Sequence, residues 1–159
     1  MVDFNKVAKR VVAMSVLPFA WAWVARQEQR ILAQGIALDP AQLADARALG
    51  VENPTRIRLL CVPRIPLPAS PQLRTFLSAF GAIPGEPHAL AARYGIFVRR
   101  DCWSERRVLL HEFVHTMQFE RLGGLRPFLQ QYLFECLTSG YAFAALEREA
   151  VCSSSNLCA

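Results

Sequence analysis

The sequence predicts one mainly helical α+β domain over residues 1–159, with a small β-sheet beside a central helix. A chain of 159 residues is long enough to bury a single hydrophobic core. Residues 57–62 and 94–100 are short, β-branched and apolar, with proline or glycine at their borders, so they predict strands. Apolar residues at helical spacing fill most of the remaining chain, which predicts that helices outnumber strands.

Composition and charge limit the classes of function. The hydrophobic fraction is 53% and the mean hydropathy is +0.19, which fits a protein with a partly covered apolar face. The net charge of +5 comes from scattered arginines rather than a Lys/Arg block, so nucleic acid is not an expected partner. Five cysteines are an odd number without a C-x-x-C pair. They fit reduced thiols in the cytoplasm better than a disulfide framework.

The N-terminal segment predicts a long helix over residues 1–35. An apolar run at 11–25 follows three basic residues and continues into a polar helical pattern that ends at Gly35. This run is about 15 residues long, shorter than the ~20 that span a bilayer. We therefore expect a helix that packs on the domain or rests on a membrane surface. Ala20 and Ala22 mimic a signal cleavage site, which makes export the less favoured alternative.

A second, shorter helix has signals at both ends. Asp39 suits the N-cap, Pro40 suits the first helical position and Gly50 lies just past the end. Beyond the first strand, the proline-rich segment 63–68 cannot join the middle of a sheet and is expected to be extended. Residues 72–80 are expected to form a brief helix.

The central helix carries His-Glu-x-x-His at residues 111–115, within a run that is apolar on nearly every side. His111 and His115 are four residues apart, so they stand one turn apart on one face. They can bind one Zn²⁺ through imidazole nitrogens at ~2.0–2.1 Å. Glu112 is offset around the helix toward a water molecule and can act as general base. Burying such polar groups without a partner is costly, which favours a metal site over an ordinary core helix.

Two further helices follow the motif helix. Gly123 and Gly124 end the motif helix, and Pro127 begins the next one, which ends at Gly140. A third helix is expected from residue 142 to about 151, followed by a flexible tail at 151–159. Short connections make successive helices antiparallel neighbours, so both returning helices can offer a carboxylate to the metal.

Three glutamates compete to be the third ligand. Two successive antiparallel helices bring Glu135, Glu147 and Glu149 to the same height as the histidines along the motif helix. Height along the helix therefore does not decide which glutamate is the ligand. Each also has an ordinary interpretation as a surface residue. For Glu147, which stands next to Arg148, the surface interpretation is the stronger one.

The motif helix and the two helices after it resemble small bacterial HExxH proteins of the gluzincin type, a class of zinc metallopeptidases. The likeness covers chiefly residues 94–150. It implies a minimal zincin-like domain, a bound Zn²⁺ and hydrolysis of a peptide bond. The residues that carry the resemblance are His111 to His115, Gln118, Glu120, Leu122-Gly123, Tyr132-Leu133, Gly140-Tyr141 and Glu147 to Ala150.

The resemblance also implies a third ligand. In gluzincins this ligand is a Glu on a later helix, commonly just before Ala, which corresponds here to Glu149 before Ala150. Small residues on that helix also permit a close approach. The predicted ligands of Zn²⁺ are therefore His111, His115 and Glu149. The predicted substrate is a peptide or a protein.

Other roles agree with the same residues. The chain could be a non-catalytic zinc-stabilised binding module, with Glu112 supporting the histidines, or a membrane-surface adaptor that uses the helix at 11–25. For the enzyme, Tyr132 or Tyr141 would supply a donor to the oxyanion, although a place in the core or at a helix cap is the stronger interpretation of each. The strand at 94–100 would lie beside the metal and lend its edge to an extended peptide, or belong to the core. The sequence does not predict the oligomeric state.

Overall fold

The structure, a computed structural model, describes residues 4–71, 73–75 and 86–158. The α-helices are α1 (Phe4–Gln34), α2 (Pro40–Ala48), α3 (Arg106–Arg121), α4 (Leu125–Ser139) and α5 (Ala145–Cys158). The strands are β1 (Ile36–Ala37), β2 (Arg58–Val62), β3 (Ala89–Ala92) and β4 (Gly95–Arg99). This arrangement confirms the predicted mainly helical α+β class. Of the brief helix predicted at 72–80, residues 73–75 are helical, and the others lie outside the described residues.

The sheet has four strands in the order β1-β2-β4-β3. β2 and β4 are parallel, whereas β1 and β3 are antiparallel to their neighbours. The strands predicted at 57–62 and 94–100 are confirmed as β2 and β4. However, β4 pairs on both sides, so the strand expected to offer its edge is an interior strand. The edge beside the motif helix belongs to β3, whose Ala-Leu-Ala-Ala sequence lacks the β-branched residues that mark a strand.

α2 begins and ends as predicted. The Asp39 carboxylate accepts a hydrogen bond from the Gln42 backbone N–H at 2.8 Å, and the Gln42 side chain accepts one from the Asp39 N–H at 2.9 Å. Together they form a capping box. Pro40 occupies the first turn, and Gly50 follows the helix with φ +87°, a backbone conformation that favours glycine.

α1 is built into the domain along one face. The residues of that face that belong to the core are Ala13, Leu17, Ala20, Val24 and Ile31. Gly95 permits the close approach to the sheet, because a Cβ at that position would lie 2.8 Å from Ile31 Cβ. The Glu28 carboxylate is buried and pairs with the Arg93 guanidinium at 2.8 Å. By length and composition alone, Val7–Gln34 is also apolar enough to cross a membrane or to act as a signal.

The motif helix α3 lies between the two hydrophobic clusters of the core, as its apolar pattern predicts. Phe119 packs in the cluster that α1 and α4 share. Leu110 and Phe113 pack in the cluster beneath the sheet and α2. Buried residues surround α3 on most sides, and this burial fixes the direction in which the histidines point.

Two predictions for the end of the chain are wrong, the start of the last helix and the flexible tail after it. Residues Tyr141–Phe143 form a short 3₁₀ turn, and α5 begins at Ala145 rather than at 142. α5 then continues through Cys158, where a flexible tail was expected. Ser154 is buried and Leu157 packs against the core cluster beneath the sheet. These tertiary contacts hold a serine-rich segment in a helix despite its weak propensity.

Candidate metal centre

His111, His115 and Glu147 bring one ligand atom each to a common point. The two histidine Nε2 atoms lie 3.1 Å apart. One carboxylate oxygen of Glu147 lies 3.3 Å from His111 Nε2, and the other lies 3.3 Å from His115 Nε2. Ligand atoms ~2.0–2.1 Å from a tetrahedral zinc ion stand about 3.3 Å from one another. The separations, which involve both oxygens of Glu147, and a donor set of two imidazoles and one carboxylate could therefore hold one metal ion.

The orientation of His115 is fixed by Gln118 on the next turn of α3. His115 Nδ1 lies 2.9 Å from the Gln118 side-chain oxygen, so Nδ1 donates its proton there and Nε2 is left free to bind a metal. Gln118 is fully buried, and its amide N–H donates to the Leu146 carbonyl and to Glu149 at 2.9 Å each. Sequence reasoning gave Gln118 no role. Its position three residues after a predicted ligand was the available signal.

Glu147 reaches the histidines from the first turn of α5. Its carboxylate is buried, and the Tyr132 hydroxyl on α4 donates to Oε1 at 2.8 Å. The buried side of α5 comprises Leu146, Glu147, Ala150 and Ser154. Because this side packs on α3, the carboxylate of Glu147 points at the histidine pair.

The structure does not bring Glu149, the predicted third ligand, to the histidine pair, where Glu147 lies instead. Glu149 lies about 160° around α5 from Glu147, and its carboxylate pairs with the Arg121 guanidinium instead. The small residue Ala150 does allow a close approach, as expected. However, the approach brings Glu147 to the histidine pair and Glu149 to Gln118 and Arg121, which lie further along α3.

Glu135, the other candidate, supports the last helix. Its carboxylate accepts a hydrogen bond from the Leu146 backbone N–H at 2.9 Å and one from the Gln131 side chain at 2.8 Å. A carboxylate at the first turn of a helix satisfies a free N–H group and the positive end of the helix dipole. Glu135 thus holds the residue that precedes Glu147.

Glu112 lies between the histidine pair and the edge strand β3. Burial raises the pKa of its carboxyl group above the usual range, whereas the charges of His115 and His111 and a hydrogen bond with the Ala91 backbone oppose the shift. A carboxylate with a raised pKa is a stronger base than a solvated one. The predicted general base is therefore buried beside the cluster and oriented by the backbone of β3.

Contacts within the cluster shift the pKa values of His115 and Glu147 in opposite directions. Burial lowers the pKa of His115, but hydrogen bonding to Glu147 and the charge of Glu112 outweigh burial and raise it to about 9. Burial alone would raise the pKa of Glu147, yet hydrogen bonds with His111 and His115 hold it well below its usual range. A histidine binds a metal ion through a deprotonated nitrogen, so metal binding and protonation compete at His115 Nε2.

Two cavities meet at the cluster, and His111, Glu112 and Tyr141 border both of them. The first has a volume of about 150 Å³ and an apolar lining that includes Trp23 of α1. The second is larger, about 540 Å³, and polar residues such as Arg107 line it. Burial, and then the charge of Glu147, raise the pKa of the Tyr141 phenol, so it stays protonated and able to donate a hydrogen bond.

Comparison with protein-family models, with curated proteins and with solved structures found no match to this chain. The resemblance to gluzincins therefore stays a prediction from the motif. The functional argument rests on the geometry of the cluster and its surroundings.

Proposed function

We propose that the protein is a zinc-dependent hydrolase that cleaves peptide bonds. The observation that carries the proposal is the meeting of two histidine Nε2 atoms, 3.1 Å apart, with the Glu147 carboxylate, a different oxygen of which lies 3.3 Å from each nitrogen, beside the buried Glu112 carboxylate. His111, His115 and Glu147 would hold the ion. This donor set leaves the fourth position of a tetrahedral ion open, as in catalytic rather than structural zinc sites.

The zinc ion and the protein side chains would have different roles in the hydrolysis. When bound, Zn²⁺ would supply a Lewis acid and lower the pKa of water toward ~7. Glu112 takes the proton of the attacking water on its carboxylate and passes it to the leaving amine. The protonated Tyr141 phenol, which borders both cavities, donates a hydrogen bond to the developing oxyanion.

The surroundings of Glu112 favour an extended peptide as substrate. β3 forms the edge of the sheet next to the cluster, and its edge can pair with an extended chain through backbone hydrogen bonds. The apolar cavity beside His115 would take an apolar side chain of that peptide. Cytoplasmic location remains part of this proposal, supported by the five free cysteines.

The test combines metal content with hydrolysis. Purified protein given zinc should contain close to one ion per chain by mass spectrometry, and it should cleave an unfolded protein substrate. Glu112→Gln should keep the ion and lose hydrolysis by about 10²–10⁴-fold, because the base is removed. The matched control Glu52→Gln changes an exposed glutamate away from the cluster. It should change neither the zinc content nor the rate of hydrolysis.

The other outcomes are distinct. A protein that remains metal-free after addition of zinc excludes the proposal. A protein that binds zinc but cleaves no peptide bond is a zinc-stabilised binding module instead. Loss of both metal and hydrolysis in Glu112→Gln would make Glu112 a ligand or a structural group.

A further inference from the structure

The outward face of α1 changes character along the helix. Its first half presents mainly apolar side chains to solvent, whereas its second half presents Gln29, Arg30 and Gln34 beside the apolar Leu32. We call the apolar group of the first half the outward patch. Its members are Val7, Val11, Val12, Met14, Phe19 and Trp21, each 40–64% exposed.

Basic side chains flank the outward patch at both ends. Arg10 is exposed beside its N-terminal half, and Arg26 is exposed just beyond Trp21. The whole chain carries a net charge of +5. An apolar face bordered by basic groups is the pattern of helices that lie in the interface of a bilayer with anionic lipids.

The packing of α1 favours an orientation parallel to a membrane over a spanning one. The patch runs from residue 7 to residue 21, about 22 Å of helix, which is shorter than the ~30 Å hydrocarbon core. The opposite face of α1 belongs to the protein core, with Leu17 at 2% and Ile31 at 0% exposure. Further along α1, the buried Glu28 is paired with Arg93, which lies in the turn between β3 and β4. The helix cannot enter the bilayer on its own without separating these contacts.

The patch also comes close to the candidate metal centre. Phe19 precedes Trp23 by one helical turn, so the two side chains are neighbours on the surface of α1. Trp23 lines the apolar cavity that His111 and Glu112 border. A surface that covers Phe19 would therefore lie within one helical turn of that cavity.

We propose that the outward patch docks the protein onto a bilayer that contains anionic lipid, with α1 parallel to the membrane plane. The apolar side chains enter the boundary between head groups and acyl chains, and Arg10 and Arg26 bind lipid phosphates. This docking goes beyond the proposed function and needs no metal. A failure of zinc binding therefore leaves its test unaffected.

Flotation with lipid vesicles tests the docking. The full-length protein should float with vesicles of phosphatidylcholine and phosphatidylglycerol, and much less with phosphatidylcholine alone. Val11→Ser/Phe19→Ser should weaken binding at least about tenfold, because it removes two apolar side chains from the interface. The matched control Gln29→Ser/Gln34→Ser changes two exposed residues of the same helix beyond the patch and should bind like the parent protein. Equal binding of both double variants would overturn the proposal.

A charge variant and a depth measurement keep the proposal falsifiable if the serine variant does not fold. Arg10→Glu/Arg26→Glu should lose binding to the anionic vesicles, and an unchanged affinity would count against the docking.

Brominated lipids should quench the fluorescence of Trp21 more than that of Trp103, with the strongest quenching at shallow bromine positions. Quenching strongest at the bilayer centre would indicate a spanning helix and overturn the parallel orientation. A stable dimer that the serine variant abolishes, without vesicle binding, would overturn the docking and assign the patch to a second copy of the chain.

Discussion

Glu147 and Glu149 both reach α3 from α5, but Glu147 meets the histidine pair, whereas Glu149 meets Gln118 and Arg121 further along α3. Residues two positions apart on a helix point in directions that differ by about 160°. A glutamate side chain is too short for both carboxylates to reach the same point. Ala150 is fully buried and belongs with Glu147 to the buried side of α5. This relationship makes Glu147, rather than Glu149, the proposed third ligand.

The first prediction concerns the third ligand. Glu147→Gln should reduce zinc affinity by more than the ~10–100-fold that outer-shell changes typically cost, because it removes a negatively charged ligand. Glu149→Gln should stay within that outer-shell range, since the Glu149 carboxylate bonds to Gln118, which orients His115, and not to His115 itself. Competition with a chromogenic chelator would measure both affinities. The reverse order of the two effects would restore Glu149 as the ligand.

The second prediction concerns the phenol that holds Glu147. Tyr132→Phe removes the hydroxyl that donates to Glu147 Oε1 at 2.8 Å and keeps the ring in place. Zinc affinity should fall about tenfold, as for other groups that orient a ligand. Tyr94→Phe removes a phenol that bonds to Glu120 rather than to the cluster and should leave zinc affinity unchanged. Equal zinc affinity in parent and Tyr132→Phe proteins would show that the carboxylate is held without Tyr132.

Local signals in the sequence predict much of the fold. Asp39, Pro40 and Gly50 mark α2 because capping and turn preferences act within a few residues. The i,i+4 spacing places His111 and His115 together, because helix geometry fixes the relation of residues four apart. These features need no knowledge of the rest of the chain.

The remaining features depend on contacts between distant segments. β3 is a strand only through its pairing with β4, since its alanines carry no strand preference of their own. α5 extends to Cys158 because Ser154 and Leu157 pack against the domain. The choice of Glu147 follows from the same packing. Periodicity places a residue on a helix but does not say which side the core covers.

The third prediction is a dependence of stability on alkaline pH. The Tyr94 hydroxyl donates to Glu120 at 2.9 Å, and burial, followed by this carboxylate, raises the pKa of Tyr94. A raised folded-state pKa stabilises the protein below the unfolded-state pKa of ~10, and the effect is lost as the pH rises through the folded-state value. Tyr94→Phe should therefore lower the free energy of unfolding by about 1–2 kcal/mol at pH 8.

The difference between Tyr94→Phe and the parent protein should shrink above pH ~10. Other tyrosines contribute equally to both proteins and cancel in this difference. Urea unfolding at several pH values would measure it. A difference that stays constant from pH ~8 to pH ~11 would show that the hydroxyl of Tyr94 does not contribute through its protonation state.

The last prediction separates the two faces of α1. Leu17 is 2% exposed and Val11 is 64% exposed, although both are aliphatic residues on one helix. Leu17→Ala should lower the free energy of unfolding by about 2–5 kcal/mol, because it leaves a cavity in the core. Val11→Ala should change it by less than about 0.5 kcal/mol, as for most surface positions. For the same reason, a chain that begins at Arg26 lacks a core face and should not fold cooperatively in a urea titration. A cooperative transition at the parent midpoint would show that α1 is an appendage rather than part of the domain.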